Sequence, residues 1–312
     1  MRVSIIIPTL NAEKFIAELV LRLKQQTLPP EEIIVVDSSS GDRTMEIAGE
    51  MGCRTLVIER EAFDHGGTRN LGAKLSAGDV LVFMTQDALP ADDTFLEKLV
   101  GPLADPSDPL IVASFGRQLA RNDAVPPEKF ARLFNYPETV MIKSKEDLPQ
   151  LGIKTFFFSD VCSAVRKREF EAVGGFPEKI IMNEDMVLAA KLILQGYKVA
   201  YVPGAAVWHS HNYSIAQQFR RYFDIGASLS MNRWLLDYAR AEGEGFKFVR
   251  EQLAWLLRHR HYRWIPYTLS LTLAKYVGYR LGLMENKLPV SLKRRFSMHK
   301  HFWPGEKGGE KT

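Results

Sequence analysis

Cysteine is nearly missing from this chain: Cys53 and Cys162 are the only two in 312 residues, more than a hundred positions apart. That excludes a disulfide framework and the paired spacings of structural zinc sites. Both lie near apolar strand-like runs and are expected as buried free thiols. Long apolar runs are lacking too. The longest uncharged stretch of the C-terminal third, residues 264–274, falls short of the roughly 20 residues that cross a bilayer. No signal-peptide pattern precedes the first strand-like run, Val3-Ser4-Ile5-Ile6-Ile7, so a cytoplasmic protein is expected, with attachment to the inner membrane surface left open. The net charge is only +4, which implies no general polyanion binding and no nucleic-acid partner. No G-x-G-x-x-G follows the first strand and no G-x-x-x-x-G-K-[ST] occurs, which argues against a dinucleotide site and a P-loop. Internal repeats and low-complexity tracts are absent.

What is present is the composition of a globular protein, 46% hydrophobic and 25% charged, long enough for one large domain or two smaller ones. The first half alternates short apolar strands with helices. Strands are predicted at residues 3–7, 33–36, 55–58, 80–83 and 110–115. Helices are predicted at 12–25, 42–50, 68–75 and 92–100. This order predicts an α/β fold, a parallel sheet covered by helices on both faces. The middle is less regular: a helix over 125–134, a strand over 156–165, an amphipathic helix over 183–195 and a closing strand over 198–202. From Ser214 the pattern is helical to about Gly282, broken at Ala241-Glu242-Gly243-Glu244-Gly245.

Ligands of open parallel sheets bind beyond the carboxyl ends of the strands. Polar clusters stand at four such ends. They are Pro8-Thr9-Leu10-Asn11, Asp37-Ser38-Ser39-Ser40-Gly41-Asp42, Phe63-Asp64-His65-Gly66-Gly67-Thr68-Arg69-Asn70 and Thr85-Gln86-Asp87. The third pairs two glycines, which let backbone approach a ligand, with the start of a helix whose free N–H groups and Arg69 suit an anion. An ordinary strand–helix loop is the plainer use of the same residues.

Asp37 suits a base or sugar of a nucleotide, or a turn cap; Asp42 suits the N-cap of its helix. Asp87 is a hard oxygen ligand for Mg²⁺ or Mn²⁺ on a diphosphate, or a turn residue before Pro90. Glu184 and Asp185 open a helix, where acids serve as dipole partners or as a general base. His209 and His211, at i and i+2 after Trp208, share one face of an extended segment, and one of them could complete the metal shell of Asp87.

Taken in order, Ile6-Ile7-Pro8-Thr9-Leu10-Asn11, Val35-Val36-Asp37 with its Ser-Ser-Ser-Gly-Asp tail, the carboxylate after strand four, Asn183-Glu184-Asp185 and Trp208-His209 resemble the family 2 inverting glycosyltransferases of GT-A fold. The likeness covers roughly residues 1–215. The segments from Phe63 to Asn70 and Met84-Thr85-Gln86-Asp87-Ala88 look like the bacterial rhamnosyltransferase branch. The resemblance implies a GT-A catalytic domain over 1–213, with a mostly parallel sheet, and a helical extension over 214–312. It implies dTDP-L-rhamnose as donor, a polyprenyl-diphosphate-linked or other glycan as acceptor, and a role in O-antigen or other surface-polysaccharide synthesis. Carried over, Pro8, Thr9, Asn11, Asp37 and Ser39 would line the nucleotide pocket, with Asp37 on the base. Asp64, His65, Thr85 and Gln86 would meet the donor, and Arg69 its diphosphate. Asp87 and His209 would hold Mg²⁺ or Mn²⁺, with His211 competing for the second place. Asp185 would be the catalytic base, and Glu184 would face the acceptor or support the base. One departure stands out: Thr85 replaces the first acid of the family's D-x-D motif, leaving less negative charge around a cation.

The C-terminal third interleaves Trp255, Tyr262, Trp264, Tyr267, Tyr276 and Tyr279 with Arg258, Arg260, Arg263, Lys275 and Arg280. Residues 287–300 add Lys293, Arg294, Arg295 and His299 with no acid among them. Such a mixture favours an anionic membrane surface; helix packing, a homo-oligomer interface or a solvated tail are the alternatives. Two other functions fit the sequence less well. A sugar-nucleotide pyrophosphorylase would carry a glycine-rich signature after strand one. A non-catalytic sugar-nucleotide or glycan-binding scaffold sits poorly with the retained Asp87, Asp185 and His209.

Overall fold

Strand β1 (Val3–Thr9) sends Ile5 and Ile7 to one buried face and Ile6 to the other in a computed structural model that describes residues 1–238 and 244–303. It is the hub of the sheet. β2 (Glu32–Asp37) and β4 (Val80–Met84) flank it in parallel, and β3 (Arg54–Val57) adds outside β2. Their connections are the helices α1 (Glu13–Lys24), α2 (Thr44–Glu50) and α3 (His65–Leu75). α1 shows why the pattern folds this way. Ile16, Leu19, Val20 and Leu23 recur at helical spacing and all are buried, each worth roughly 1.5–3 kcal/mol.

Beyond β4 come β5 (Leu89–Pro90), α4 (Phe95–Ala104), β6 (Ile111–Leu119), α5 (Pro126–Asn135), β7 (Met141–Lys143), α6 (Leu148–Leu151), β8 (Cys162–Arg166), α7 (Lys167–Ala172), α8 (Glu184–Leu194) and β9 (Lys198–Trp208). The strand order is β3-β2-β1-β4-β8-β6-β9-β5, with β7 also on β9. β8 runs antiparallel to both β4 and β6, so the sheet is mixed rather than purely parallel. Because β8 reverses between them, β6 points the same way as β4, and β9 is parallel to β6. The carboxyl ends of β1, β2, β4, β6 and β9 therefore share one rim. The strand expected over 156–165 is shorter, since Gly152–Phe156 is a 3-10 turn and pairing begins at Cys162. Cys162 is buried, but Cys53 is only partly so.

The C-terminal part is α9 (Ile215–Met231), α10 (Glu244–Arg258), α11 (Ile265–Leu283) and α12 (Val290–Phe296). Most of the expected break at 241–245 lies outside the described residues. α9 and α11 cross at glycines. A Cβ at Gly278 would lie 2.3 Å from the Phe219 carbonyl, and one at Gly282 2.1 Å from that of Phe223. The chain after α12 returns to the body: Trp303 is buried with Ile181, Phe223 and Ala227, and Met298 N–H donates to Asp224 Oδ2 at 2.8 Å.

Candidate active site

Among the described residues, three of the five non-glycine positions with positive φ lie in the loops at this end: Asn11 (50°) after β1, Ser39 (58°) after β2 and Asn183 (67°) before α8. Asparagine tolerates the left-handed region, and such strain gathers at working sites. Asn11 Oδ1 accepts from Gly41 N–H, tying the first two rim loops together. Asp37 is fully buried and accepts from the Thr9 hydroxyl at 2.7 Å and the Ser40 hydroxyl at 2.6 Å. Ser39 donates to the Ile58 carbonyl. Pro8 sits one residue inside the β1 end, paired with Val36. Asp42 caps differently from the expectation. It precedes the N-cap position of α2, and its carboxylate accepts from Thr44 and from Glu13 N–H.

The segment from Phe63 to Asn70 also departs from the expectation. α3 begins at His65, three residues early, so both glycines lie in its first turn. Asp64 caps it, accepting from Gly67 N–H at 2.7 Å, and so satisfies a donor that was expected to meet an anion. Gly66 makes room for protein: a Cβ there would lie 1.9 Å from the Pro177 carbonyl. Arg69 is 4% exposed, its Nε 2.8 Å from Asp160 and its Nη1 3.3 Å from Glu184. Its neighbours are carboxylates, not an open cleft. His65 lies 3.6 Å from Glu184 and edge-on to His299; burial and the adjacent Arg69 hold it neutral, down at about 4.

A carboxylate cluster results on the floor of the rim: Asp160, Glu184 and Asp185 around one guanidinium. Burial pushes Asp160 up to about 7 despite Arg69. Burial, with Asp160 and Glu184 as like charges, raises Asp185 well above the ordinary carboxylate range. A carboxyl raised in this way is a better proton acceptor than a free one.

On the other side, Asp87, His209 and His211 converge, with one ligand-type atom from each within 4.8 Å of the others. His211 Nε2 is 3.3 Å from Asp87 Oδ2, and the two Nε2 atoms are 3.1 Å apart. The two histidines are therefore partners around Asp87, not competitors. His209 has a fixed tautomer. Arg132, which only donates, gives a hydrogen bond to Gln118 Oε1 at 2.6 Å, and the Gln118 amide donates to Tyr136 and Ser159. Gln118 Oε1 must then accept from His209 Nδ1 at 2.9 Å, which leaves Nε2 with its lone pair toward Asp87. Burial holds both imidazoles neutral, His209 well below its ordinary value. One carboxylate and two neutral imidazoles fit a divalent cation, and the nitrogen donors suit Mn²⁺ better than Mg²⁺. Nearby, the Thr85 hydroxyl is buried without a hydrogen-bond partner. Gln86 does not face a ligand: its amide bridges the N–H and carbonyl of Leu10.

Glycosyl transferase family 2 matches residues 4–174, over half the chain. The chain is a family 2 glycosyltransferase. Two relatives match this glycosyltransferase nearly end to end. One is an O-antigen chain rhamnosyltransferase of Salmonella typhimurium, 45% identical, covering 97% of this chain and 96% of the relative. The other is an O-antigen chain rhamnosyltransferase of Salmonella anatum, 43% identical over 96% and 95%. Among solved structures, a mannosyltransferase of Pyrobaculum calidifontis in complex with GDP-mannose and Mn²⁺ aligns at TM-score 0.60 and 20% identity, over 89% of this chain and 86% of that one. The glycosyltransferase thus has the GT-A fold. Asp160, Gln118, Arg121 and His299 were missed from the sequence. Gln118 and Arg121, whose guanidinium donates to the Asp87 carbonyl, follow the strand-end rule once β6 is extended to Leu119. Asp160 had no such signal, because it lies in the irregular middle.

Proposed function

We propose that this glycosyltransferase transfers L-rhamnose from dTDP-β-L-rhamnose to a hydroxyl of a glycan acceptor in surface-polysaccharide synthesis, inverting the anomeric configuration. The observation that carries the reading is the 45% identity, over nearly both whole chains, to an O-antigen chain rhamnosyltransferase. Pro8, Thr9, Asn11, Asp37 and Ser39 would shape the nucleotide pocket; the Thr9 and Ser40 hydroxyls both occupy Asp37 Oδ2, so a base contact would fall to Oδ1, which accepts from Ser40 N–H and keeps a second acceptor site. Asp87, His209 and His211 would hold the divalent cation, which supplies positive charge against the leaving diphosphate. Asp185 would take the acceptor proton as its oxygen attacks the anomeric carbon from the face opposite dTDP. Asp160 and Glu184 raise the basicity of Asp185, and Arg69 limits their repulsion. In this reading Arg69 organises the base rather than the diphosphate.

A donor panel tests it. dTDP-rhamnose with Mn²⁺ is expected to raise the melting temperature well above the effect of UDP-glucose, UDP-galactose or GDP-mannose. In Asp87→Ala the Mn²⁺-dependent part of that rise is expected to vanish. Stronger stabilisation by another nucleotide sugar would reassign the donor, and an Mn²⁺ response unchanged in Asp87→Ala would reassign the cation site.

A polyprenyl-diphosphate-linked acceptor would lie at a membrane surface, and among the described residues no helix is long and apolar enough to cross one. α11 instead exposes Leu269 (49%), Leu273 (63%) and Tyr276 (59%) at i, i+4 and i+7, a single stripe. Arg294, Arg295 and Lys300 are exposed as well, whereas Lys293 is paired with Glu285 and His299 is packed against His65. This supports attachment along the α11 face. Leu269→Ser/Leu273→Ser is expected to lose co-sedimentation with anionic vesicles while keeping its melting temperature. Sedimentation equal to the wild type would reject that face.

A further inference from the structure

A cavity of about 280 Å³ opens between the ends of β6 and β9 and the helices α5 and α10. Its lining includes Trp208, Trp255 and Leu133, with Lys129, Arg117, Arg132 and Gln118 as the polar members. It is a little below the roughly 300–1,000 Å³ of pockets for drug-sized ligands, a size for a single sugar ring. Indole rings offer flat apolar faces to the C–H side of a pyranose, and the cationic side chains offer donors to its hydroxyls. Trp208 is 37% exposed, and Trp255 is backed on one face by His259, with ring centroids 4.3 Å apart. Lys129 forms no side-chain ion pair or hydrogen bond among the described residues, so its ammonium is uncommitted.

The position of the cavity matters more than its lining. Gln118 forms part of its wall and holds His209 of the cation site with one end of its amide. The other end donates to the Tyr136 hydroxyl at 2.6 Å. The same amide nitrogen donates to the Ser159 hydroxyl at 2.8 Å, and Ser159 precedes Asp160 of the carboxylate cluster. Trp208 precedes His209 in the chain. Through Gln118 the cavity wall is thus linked to the cation site on one side and, by way of Ser159, to the carboxylate cluster on the other. An attacking hydroxyl has to lie between those two groups.

We infer that this cavity is the acceptor subsite, holding the sugar ring whose hydroxyl is glycosylated against Trp208 and Trp255. The inference rests on the transferase reading above and assigns its second substrate a place.

The test uses the full-length enzyme with Mn²⁺, dTDP-rhamnose and octyl glycosides of galactose, glucose, mannose, N-acetylglucosamine and rhamnose as single-ring acceptors. Release of dTDP without acceptor measures donor hydrolysis separately. The wild type is expected to glycosylate at least one of them. Trp255→Ala, and Leu133→Trp, which fills the cavity from a half-exposed position, are expected to raise the acceptor KM about tenfold while the donor KM moves less than about twofold. Trp255→Phe, which keeps an aromatic face, is expected to restore most of the acceptor affinity. An acceptor KM unchanged in both variants overturns the inference, as does a rise in donor KM instead. Donor hydrolysis with no transfer to any single-ring acceptor also overturns it and leaves the transferase reading standing. Neither hydrolysis nor transfer by the wild type brings down both.

Discussion

Asp185→Asn is expected to lower glycosyl transfer by about 10²–10⁴-fold, the usual contribution of a positioned general base. Donor binding should stay near the wild-type value, because the base acts on the acceptor hydroxyl and not on the nucleotide. The fold should not suffer either. Asp185 Oδ1 accepts from Met186 N–H at 2.7 Å, which an Asn oxygen can also do, and the substitution removes a like charge beside Asp160 and Glu184. A melting temperature equal to or above the wild type, with transfer nearly abolished, is the expected pair of results. A variant that keeps most of its activity would remove Asp185 from the base role. The wild-type pH profile is a second check. A carboxylate raised by burial and by neighbouring acids gains its basic form only on the alkaline side of the ordinary value of about 4. Transfer should therefore climb with pH above that ordinary value, and that limb should disappear in what residual activity Asp185→Asn retains.

Arg69→Leu is expected to destabilise the fold by roughly 3–5 kcal/mol, the cost of leaving buried charges without their partner. On the order of 10 °C in melting temperature corresponds to that loss in a chain of this size. The guanidinium is 4% exposed and stands between Asp160 and Glu184, with Asp185 close by. The pH dependence separates this from a packing defect. Asp160 is raised to about 7 in the fold against about 4 when unfolded. Between those values the folded state holds a proton that the unfolded state has released, so this group's contribution to stability falls as pH rises through that window. Without Arg69 the acids repel more strongly, so the deficit of the variant should be larger at pH 8 than at pH 5.5. A deficit independent of pH would mean that Arg69 acts through packing alone. Arg69→Lys, which keeps the charge but not the fork, should recover part of the stability and little of the fixed geometry.

Much of the site was readable because polar residues following buried strands have few other uses. Asp37 closes β2, Asp185 opens α8, and Asp87, His209 and His211, which follow β4 and β9, converge on one another. The fold gives the segment from Phe63 to Asn70 partners other than the expected anion. Its glycines and arginine carry the composition of an anion loop, yet Gly66 admits Pro177 and Arg69 faces carboxylates. Neither partner is close in sequence. Asp160 is 91 positions from Arg69 (160 − 69) and Glu184 is 115 away.

The sequence by itself determined the strand–helix order, the strand ends that carry polar side chains, and the helical C-terminal third, because each depends on local periodicity and on which residues tolerate a turn. Tertiary structure decided what no local pattern encodes. It set the reversal at β8 that brings β6 and β9 to the active rim. It paired both histidines with Asp87, and it gave Asp185 two acidic neighbours that raise its basicity. It also folded the residues after α12 back so that His299 meets His65. Charge and proximity between residues far apart in the chain fix these features, and a linear sequence contains the groups but not their distances.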